Sequence, residues 1–167
     1  MSAKLGSHNL LFSASVDCFN PDICDFESPD PSCSVMLKSS YDKATDNINF
    51  KRFKMYEWCT TLASLNIPYV LAGFRNYEGI TEVLKLYTEE DLRQQGKEYW
   101  DINIGFTFAK EALSFIEKTT KTKPGTVFSF TKKNHTSHIK AEETNMENFP
   151  PKWFTEGLAE AGILPLG

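Results

Sequence analysis

The sequence predicts an α/β or α+β fold in which a mixed β-sheet is flanked by helices. At 167 residues with 41% hydrophobic content, the chain can bury one sizeable core, and its length favours a single domain over 1–167. Apolar runs of strand length recur between polar turns. Residues 99–131 are typical of a strand, helix and strand in succession, a crossover unit whose two strands lie in one sheet.

The first half of the chain contains loops, candidate strands and one helix. Residues 17–33 crowd Pro, Asp, Ser and Cys between two apolar runs, which predicts a loop. Residues 34–39 are a candidate strand. Residues 58–66 favour a helix that ends before Pro68, because the residue before a proline is pushed toward extended conformations. The apolar run 68–72 leaves two alternatives open, a buried strand or a helix end.

The second half supplies the crossover unit. Residues 83–88 are predicted as a strand, and 89–97 as a polar, charged connection. Over 99–108 apolar and polar side chains alternate, so this stretch is predicted as a strand with one face in the core and the other over a cleft. A helix over 109–121 follows, and a strand over 126–131 is expected to join the same sheet.

A last helix is predicted after Pro150 and Pro151, because proline is favoured in the first turn of a helix. Trp153, Phe154 and Leu158 would share one side of it. We expect this helix to pack on the body of the domain.

Composition and charge exclude several classes of function. The chain has 18 basic and 22 acidic residues and a net charge of −4, which argues against a tight, sequence-independent grip on phosphate backbones. No apolar stretch nears the length of a membrane span, so we expect an intracellular protein without membrane contact. The four cysteines form no CxxC pair, so no zinc site is predicted.

Five short stretches follow one another in the order of a known nuclease domain. They are Arg52–Glu57, Leu84–Tyr87, Ile102–Thr107, Ile116–Lys118 and Val127–Thr131. Together they resemble the N-terminal cap-snatching endonuclease domain of the polymerase acidic subunit of orthomyxoviruses such as influenza, a member of the PD-(D/E)XK nuclease superfamily. The resemblance implies a PD-(D/E)XK nuclease-like fold, in a divergent relative such as a thogotovirus protein. The chain would be the N-terminal part of a larger polymerase subunit.

The resemblance also implies where the site residues lie. In that family a histidine, a glutamate, an aspartate and a second glutamate hold two divalent cations, and a lysine assists the attack of water. The first glutamate is kept as Glu57, and the lysine is kept as Lys118. Lys85 replaces the aspartate, and Asn103 replaces the second glutamate. The histidine has no counterpart, because His8 lies too near the terminus.

The replaced positions argue against a metal site on physical grounds. Hard divalent ions need several carboxylate oxygens. At a separation of ~4 Å, a lysine in the site would repel a dication by several kcal/mol even at an effective dielectric constant near 20. Lys85 could instead pair with Glu57. Asp101 is the one candidate substitute, on the same predicted strand face as Asn103 but about 6.6 Å away along the strand. We therefore expect no intact catalytic, cofactor or metal site.

Three functions compete. The favoured one is a structural, catalytically degenerate endonuclease-like domain of a viral RNA polymerase, which is not an enzyme. The second is an active Mn²⁺- or Mg²⁺-dependent cap-snatching endonuclease that uses Glu57, Asp101 and further acids such as Asp91 or Glu82. The third is an unrelated α/β interaction module. Metal binding separates the first two, and the topology of the sheet separates the third.

The resemblance further implies partners and a location. The partners would be the remainder of the acidic subunit and the two basic polymerase subunits. Viral RNA and capped host RNA would be ligands of the whole complex. The complex would act in the nucleus of the infected cell and be carried in the virion.

Overall fold

The structure is a computed structural model that describes residues 2–22, 31–41, 47–134, 136, 138–145 and 149–162. Part of the predicted loop over 17–33, residues 23–30, lies outside the described residues. The chain divides into two compact units, residues 1–110 and 111–167. The prediction of one domain over 1–167 stays a prediction.

The first unit contains most of the elements. In chain order they are β1 (Ser2–Leu5), β2 (His8–Leu11), β3 (Cys18–Phe19), a 3-10 turn (Pro31–Cys33), β4 (Ser34–Tyr41), a π-helical segment (Phe50–Lys54), α1 (Met55–Leu65), β5 (Tyr69–Arg75), β6 (Thr81–Thr88), α2 (Glu89–Gly96) and α3 (Ile102–Thr122). Helix α3 continues into the second unit, which also contains β7 (Phe128–Thr131), β8 (Lys140–Glu143) and α4 (Lys152–Glu160).

A four-stranded mixed sheet with the order β3-β4-β5-β6 forms the centre of the first unit. Strands β4 and β5 run parallel, with Val35 opposite Tyr69 and Tyr41 opposite Arg75, and the two outer pairs are antiparallel. The predicted strands 34–39 and 83–88 lie within β4 and β6. In the run 68–72, all residues after Pro68 belong to a strand, β5. The mixed sheet with its helices confirms the predicted fold class.

Helix α1 covers one face of this sheet. Its buried residues recur at the spacing of one helical face. They are Met55, Trp58, Cys59 and Leu62, and they belong to one core cluster with Val70, Ala72 and Phe74 of β5. The helix ends at Leu65 and is capped by Asn66, which adopts a left-handed conformation that asparagine tolerates better than most residues. The predicted helix over 58–66 is therefore confirmed, with three residues added at its start.

The predicted connection over 89–97 is helix α2. Thr88 precedes the helix and its hydroxyl accepts a hydrogen bond from the backbone N–H of Asp91, while the Asp91 carboxylate accepts one from the N–H of Thr88. This capping box satisfies two backbone donors that a helix start otherwise leaves without partners. Leu92 is the fully buried side chain of this short helix.

The predicted strand over 99–108 is wrong, because α3 already begins at Ile102. The Asp101 carboxylate accepts a hydrogen bond of 2.9 Å from the backbone N–H of Asn103, as an N-cap residue does. Gly105 then lets the helix lie against Tyr56, whose hydroxyl would collide with a Cβ at that position. Capping and this close packing outweigh the β-branched residues that favour a strand here.

The second unit has a small sheet of its own. Strands β7 and β8 pair antiparallel, and Phe115 of α3 packs edge-on against Phe130 of β7 with ring centroids 5.9 Å apart. Of the predicted strand over 126–131, only Phe128–Thr131 is a strand, and it pairs with β8 in a separate sheet from the one that contains β6. Helix α4 forms where Pro151 predicts it and has no fully buried residue. Its expected packing on the body stays a prediction. Among the helices of the described residues, none is long and apolar enough to cross a membrane.

Candidate functional site

A cavity of about 420 Å³ opens in the first unit where β4 and β5 end and the π-helical segment begins. Small-molecule and cofactor sites typically enclose about 300–1,000 Å³, so this cavity has the size of a ligand site. Polar, cationic and aromatic side chains line it. They are Ser40, Tyr41, Asn47, Asn49, Phe50, Phe53, Lys54 and Arg75.

The cavity carries positive charge. Lys54 donates a hydrogen bond of 3.4 Å from Nζ to Oγ of Ser40, which is buried at the end of β4. Arg75 ends β5, directly opposite Tyr41 in the parallel register. Of the eight described residues that line the cavity, two are cations and none is a carboxylate. The described lining of the cavity therefore carries positive charge, whereas the chain as a whole has a net charge of −4.

The π-helical segment presents aromatic rings to two sides. Phe50 points into the core, with its ring edge-on to Trp58 at 5.3 Å. Phe53 is 59% exposed and lines the cavity, and the guanidinium of Arg52 lies 5.5 Å from its ring centroid. π-Helical turns are rare, occur mostly as single turns within α-helices, and are frequent at functional sites. An exposed aromatic ring beside two cations can hold both a flat ring system and a phosphate.

The loop before this segment contributes amide groups. Asn47 accepts a hydrogen bond of 2.8 Å on Oδ1 from the backbone N–H of Asn49, which fixes the direction of the Asn47 side chain. Both asparagines line the cavity. An amide side chain offers both donors and an acceptor, so this wall can read polar edges of a ligand.

Glu57 and Lys85, two of the residues predicted from the sequence, lie elsewhere in the first unit. Glu57 is exposed on α1, and its backbone carbonyl accepts hydrogen bonds from the hydroxyls of Thr60 and Thr61. Lys85 is exposed on β6, with Nζ 5.4 Å from the ring centroid of Phe74. Neither Glu57 nor Lys85 is among the described residues that line the cavity.

Asp101 and Asn103 lie together at the start of α3. Asn103 donates a hydrogen bond of 2.9 Å from Nδ2 to the Asp101 carboxylate, and both line a shallow pocket of about 260 Å³. Lys118 lies on the same helix, fifteen residues beyond Asn103, in its second-unit part. Lys118 was expected to reach back from the helix over the polar face of a strand at 99–108, but residues 102–108 belong to the helix itself. The site roles assigned to these residues stay predictions, although the strand on which the assignment was based is a helix.

The two further candidate acids have structural partners. Asp91 belongs to the capping box of α2, and the hydrogen bonds from the backbone and hydroxyl of Thr88 hold the pKa of its carboxyl below the usual value. Glu82 accepts a hydrogen bond of 2.7 Å from Nδ2 of Asn76. These contacts account for both carboxylates without a ligand.

Comparison with known proteins gives a family. The model of the family described as RAI1 like PD-(D/E)XK nuclease matches residues 1–155. The decapping and exoribonuclease protein of Rattus norvegicus is 34% identical over 125 residues, which cover 71% of this chain and 31% of the rat protein. This chain thus spans about a third of the length of that curated relative.

Two solved structures share the fold. S. pombe Rai1 in complex with 3'-FADP superimposes with a TM-score of 0.73 at 22% identity, over 86% of this chain and 46% of that chain. Candida albicans Rai1 in complex with pU5-Mn²⁺ gives a TM-score of 0.72 at 13% identity, over 98% and 44%. The predicted PD-(D/E)XK nuclease-like architecture is confirmed.

These findings correct the viral assignment. The matching family and its curated relatives are cellular proteins, so the resemblance to the orthomyxovirus acidic subunit is wrong. The predictions that depended on this resemblance are therefore also wrong. They are the structural role in a viral polymerase, the cap-snatching alternative, the polymerase subunits and viral or capped host RNA as partners, and the location in the infected nucleus and virion. The stretches behind that resemblance were short and largely apolar, and such segments recur in unrelated folds. One of them, 102–107, is helix where the comparison required a strand.

The expectation that the protein is not an enzyme is also corrected, because the relatives are named decapping and exoribonuclease proteins. A metal ion is implied by the fold family, and the residues present can be tested for it. Within the described ranges no three His, Cys, Asp or Glu residues lie close enough to hold one. Nor does the sequence contain an Asp or Glu two residues before a Lys, the tripeptide in the family description.

One acid does lie against the central sheet. Asp17 accepts a hydrogen bond of 2.9 Å on Oδ2 from the backbone N–H of Leu37 in β4. A single carboxylate does not make a site for a hard dication. The described residues therefore do not fit a divalent metal by themselves, and the expectation of no metal or cofactor in this chain stays a prediction.

Proposed function

Because this chain belongs to the RAI1-like PD-(D/E)XK nuclease family, we propose that its protein acts in RNA decapping and exoribonucleolytic degradation. The observation that carries the proposal is the family match over residues 1–155, together with the 34% identity to a decapping and exoribonuclease protein. The cavity between β4, β5 and the π-helical segment is the part of the chain that we assign to RNA.

The cavity suits one nucleotide of a single strand. Lys54 and Arg75 would face a phosphate, to which a lysine offers a point charge and an arginine offers a planar fork of donors. Ser40 would act as a positioning residue, because its hydroxyl accepts a hydrogen bond from Nζ of Lys54 and so restrains the ammonium. Phe53 would stack on the base, as aromatic side chains do in proteins that bind single strands.

The overall charge sets how strong this contact can be. With a net charge of −4, the chain lacks the broad basic surface that holds RNA without regard to position. A local site with two cations instead favours the end of a strand or a splayed nucleotide. The chemistry that this part of the protein supplies is thus binding, orientation and neutralisation of phosphate charge, and no step through a metal is assigned to it.

Binding can be measured by fluorescence anisotropy with a 5'-phosphorylated, dye-labelled oligouridylate. We expect Lys54→Ala and Arg75→Ala each to weaken binding about tenfold, because each removes one charged hydrogen bond to phosphate. The slope of log K against log salt should fall by about one for each variant. Lys97→Ala is the matched control, since Lys97 is exposed and does not line the cavity.

These variants distinguish binding of RNA in the cavity from non-specific electrostatic attraction to the protein. If Lys97→Ala weakens binding as much as the other two variants, the cavity is not the RNA site. Phe53→Ala should weaken binding by roughly 1–3 kcal/mol without changing the salt slope. Decapping itself is tested with cap-labelled RNA and Mn²⁺ on the protein, where release of a labelled cap nucleotide is expected. RNA binding without any release would contradict the enzymatic part of the proposal.

A further inference from the structure

The turn that joins β5 to β6 presents an aromatic ring to solvent. Tyr77 lies in this turn, over residues 76–80, and its side chain is 79% exposed. Among the aromatic side chains of the described residues, none is more exposed. A single exposed ring is ordinary on a protein surface. The surroundings of Tyr77 are what indicate a role in binding.

Hydrogen bonds of Asn76 hold the turn in one shape. Its Oδ1 accepts hydrogen bonds from the backbone N–H of Glu78 at 2.9 Å and of Ile80 at 3.1 Å. Its own backbone N–H donates to the carbonyl of Ile80 at 2.9 Å. Gly79 has a φ of 85°, a left-handed conformation that glycine adopts without strain. The backbone that carries Tyr77 is therefore already ordered, so a ligand that packs on this ring loses little affinity to ordering the turn.

The ring of Tyr77 adjoins the cavity that we assign to RNA. It packs edge-on against Tyr41, with ring centroids 4.7 Å apart and ring planes at 70°. Tyr41 is the last residue of β4 and lines the cavity. Arg75, which also lines the cavity, is opposite Tyr41 in the register and two residues before Tyr77 in the chain. An exposed ring on an ordered turn thus stands at the edge of the cavity.

The neighbouring charges favour a base over a phosphate at this ring. Glu78 follows Tyr77 and is exposed, and the Glu82 carboxylate accepts a hydrogen bond of 2.7 Å from Nδ2 of Asn76. Carboxylates repel a phosphate, whereas a base stacks on an aromatic ring without needing a cation. The two cations of the described lining lie in the cavity instead. Phosphate is therefore favoured inside the cavity, and a base is favoured at Tyr77.

We propose that Tyr77, supported by Tyr41, is the stacking platform for the base of a second nucleotide, next to the one in the cavity. This inference rests on the proposed function of the cavity in RNA binding. Phe53 would hold one base and Tyr77 the next, with Arg75 facing the phosphate between them. Two splayed bases on two protein rings require a single strand, because bases in a duplex already stack on one another. The site would then select single-stranded RNA ends over free mononucleotides and paired ends.

Competition binding with short ligands measures the second position. Uridine 5'-monophosphate and 5'-phosphorylated diuridylate each compete with the dye-labelled oligouridylate. We expect the wild type to bind the dinucleotide at least roughly tenfold more tightly than the mononucleotide, as one more stacked base allows. Tyr77→Ala should weaken binding of the dinucleotide about tenfold and leave the mononucleotide unchanged. Tyr77→Phe should bind both like the wild type, because the ring is kept.

Ile80→Ala is the matched control. Ile80 is 57% exposed in the same turn and carries no ring, so its loss should change neither affinity. Fluorescence of 2-aminopurine at the second position of the dinucleotide gives a direct readout, because stacking quenches this base. Binding to the wild type and to Tyr77→Phe should quench it, and binding to Tyr77→Ala should quench it much less. A variant that only misfolds would lose the mononucleotide as well.

Equal dinucleotide affinity for Tyr77→Ala and the wild type would overturn the platform, and RNA binding in the cavity would still stand if Lys54→Ala weakens it. An equal loss for both ligands in Tyr77→Ala would also overturn it, since Tyr77 would then only shape the cavity. A wild type that binds neither ligand would refute the proposed function and the platform with it. Failure of the platform and failure of the proposed function are therefore separate results.

Discussion

Replacing Gly96 by alanine should destabilise the first unit by displacing the ring of Trp100. A Cβ at Gly96 would lie 2.7 Å from Nε1 of Trp100 and closer still to two carbons of the ring, whereas carbon atoms in contact are about 3.5–4.0 Å apart. The indole is held from two sides. Its Nε1 donates a hydrogen bond of 2.8 Å to the carbonyl of Lys51, and Tyr56 packs edge-on against it at 5.5 Å.

The magnitude follows from three terms. Overpacking of a well-packed site costs about 1–3 kcal/mol. Loss of the hydrogen bond from the indole adds about 1 kcal/mol. Alanine offsets up to about 1 kcal/mol through its higher helix propensity, and less than that at the last residue of α2. The net loss in the free energy of unfolding is roughly 2 kcal/mol, which lowers Tm by roughly 4–8 °C in a chain of this length.

Melting followed by circular dichroism measures this shift. Gly157→Ala is the matched control, because Gly157 also lies in a helix and a Cβ there would meet nothing within 4 Å. The control should melt at or slightly above the wild-type temperature. If Gly96→Ala melts at the wild-type temperature too, the Trp100 ring does not sit on Gly96 and the described packing between α2 and the start of α3 is refuted.

Two further predictions concern the capping box and the cysteines. Thr88→Ala should lower the urea midpoint by the equivalent of about 1 kcal/mol, whereas Thr88→Ser should not. Hydrogen bonds from Thr88 lower the pKa of Asp91, so the contribution of Asp91 to stability is present above about pH 4 and is lost as pH falls. Asp91→Asn should therefore reduce the loss of stability that the wild type shows at acidic pH. An unchanged dependence of stability on acidic pH would contradict this prediction. Burial raises the pKa of Cys59 to about 11, so at pH 8 iodoacetamide should modify the exposed Cys18 well before Cys59, as mass spectrometry of the peptides can show; equal labelling would mean that Cys59 is accessible.

The sheet was predictable because its strands have simple patterns. Residues 34–39 and 83–88 are short apolar or alternating runs between turn residues, and both are strands in the structure. The pattern of 68–72 was ambiguous, since a short apolar run fits a buried strand or a helix. The parallel pairing with β4 decides it, and no local signal in the sequence reports that pairing.

The wrong predictions over 89–97 and 99–108 came from giving too much weight to the polarity or alternation of the residues there. Ile102 and Ile104 alternate with polar residues, yet Asp101 caps a helix that begins beside them. Thr88 and Asp91 stand three apart at the start of α2, the spacing of a capping box, and this signal could have identified the helix. In both places the cap was more informative than the alternation or polarity of the residues that follow.

The candidate cavity could not be found from spacing. Lys54 and Arg75 are 21 residues apart and belong to different elements. The parallel register of β4 and β5 brings the ends of those strands together, and the π-helical segment closes over them. The sequence-based search looked for acids, which a nuclease needs for metal, whereas the described residues of this cavity are cations, amides and rings.

The π-helical segment has a consequence for changes in chain length. Successive residues of an α-helix are rotated by about 100°, and the buried face of α1 fixes the rotation of everything that follows Met55. Deletion of one residue between Phe50 and Lys54 would therefore turn the preceding part of the segment by about a quarter of a circle relative to the core. Phe50 would leave its neighbours and the cavity would lose a wall, although no side chain had been substituted. The shape of the cavity thus depends on the number of residues in the π-helical segment as well as on their types.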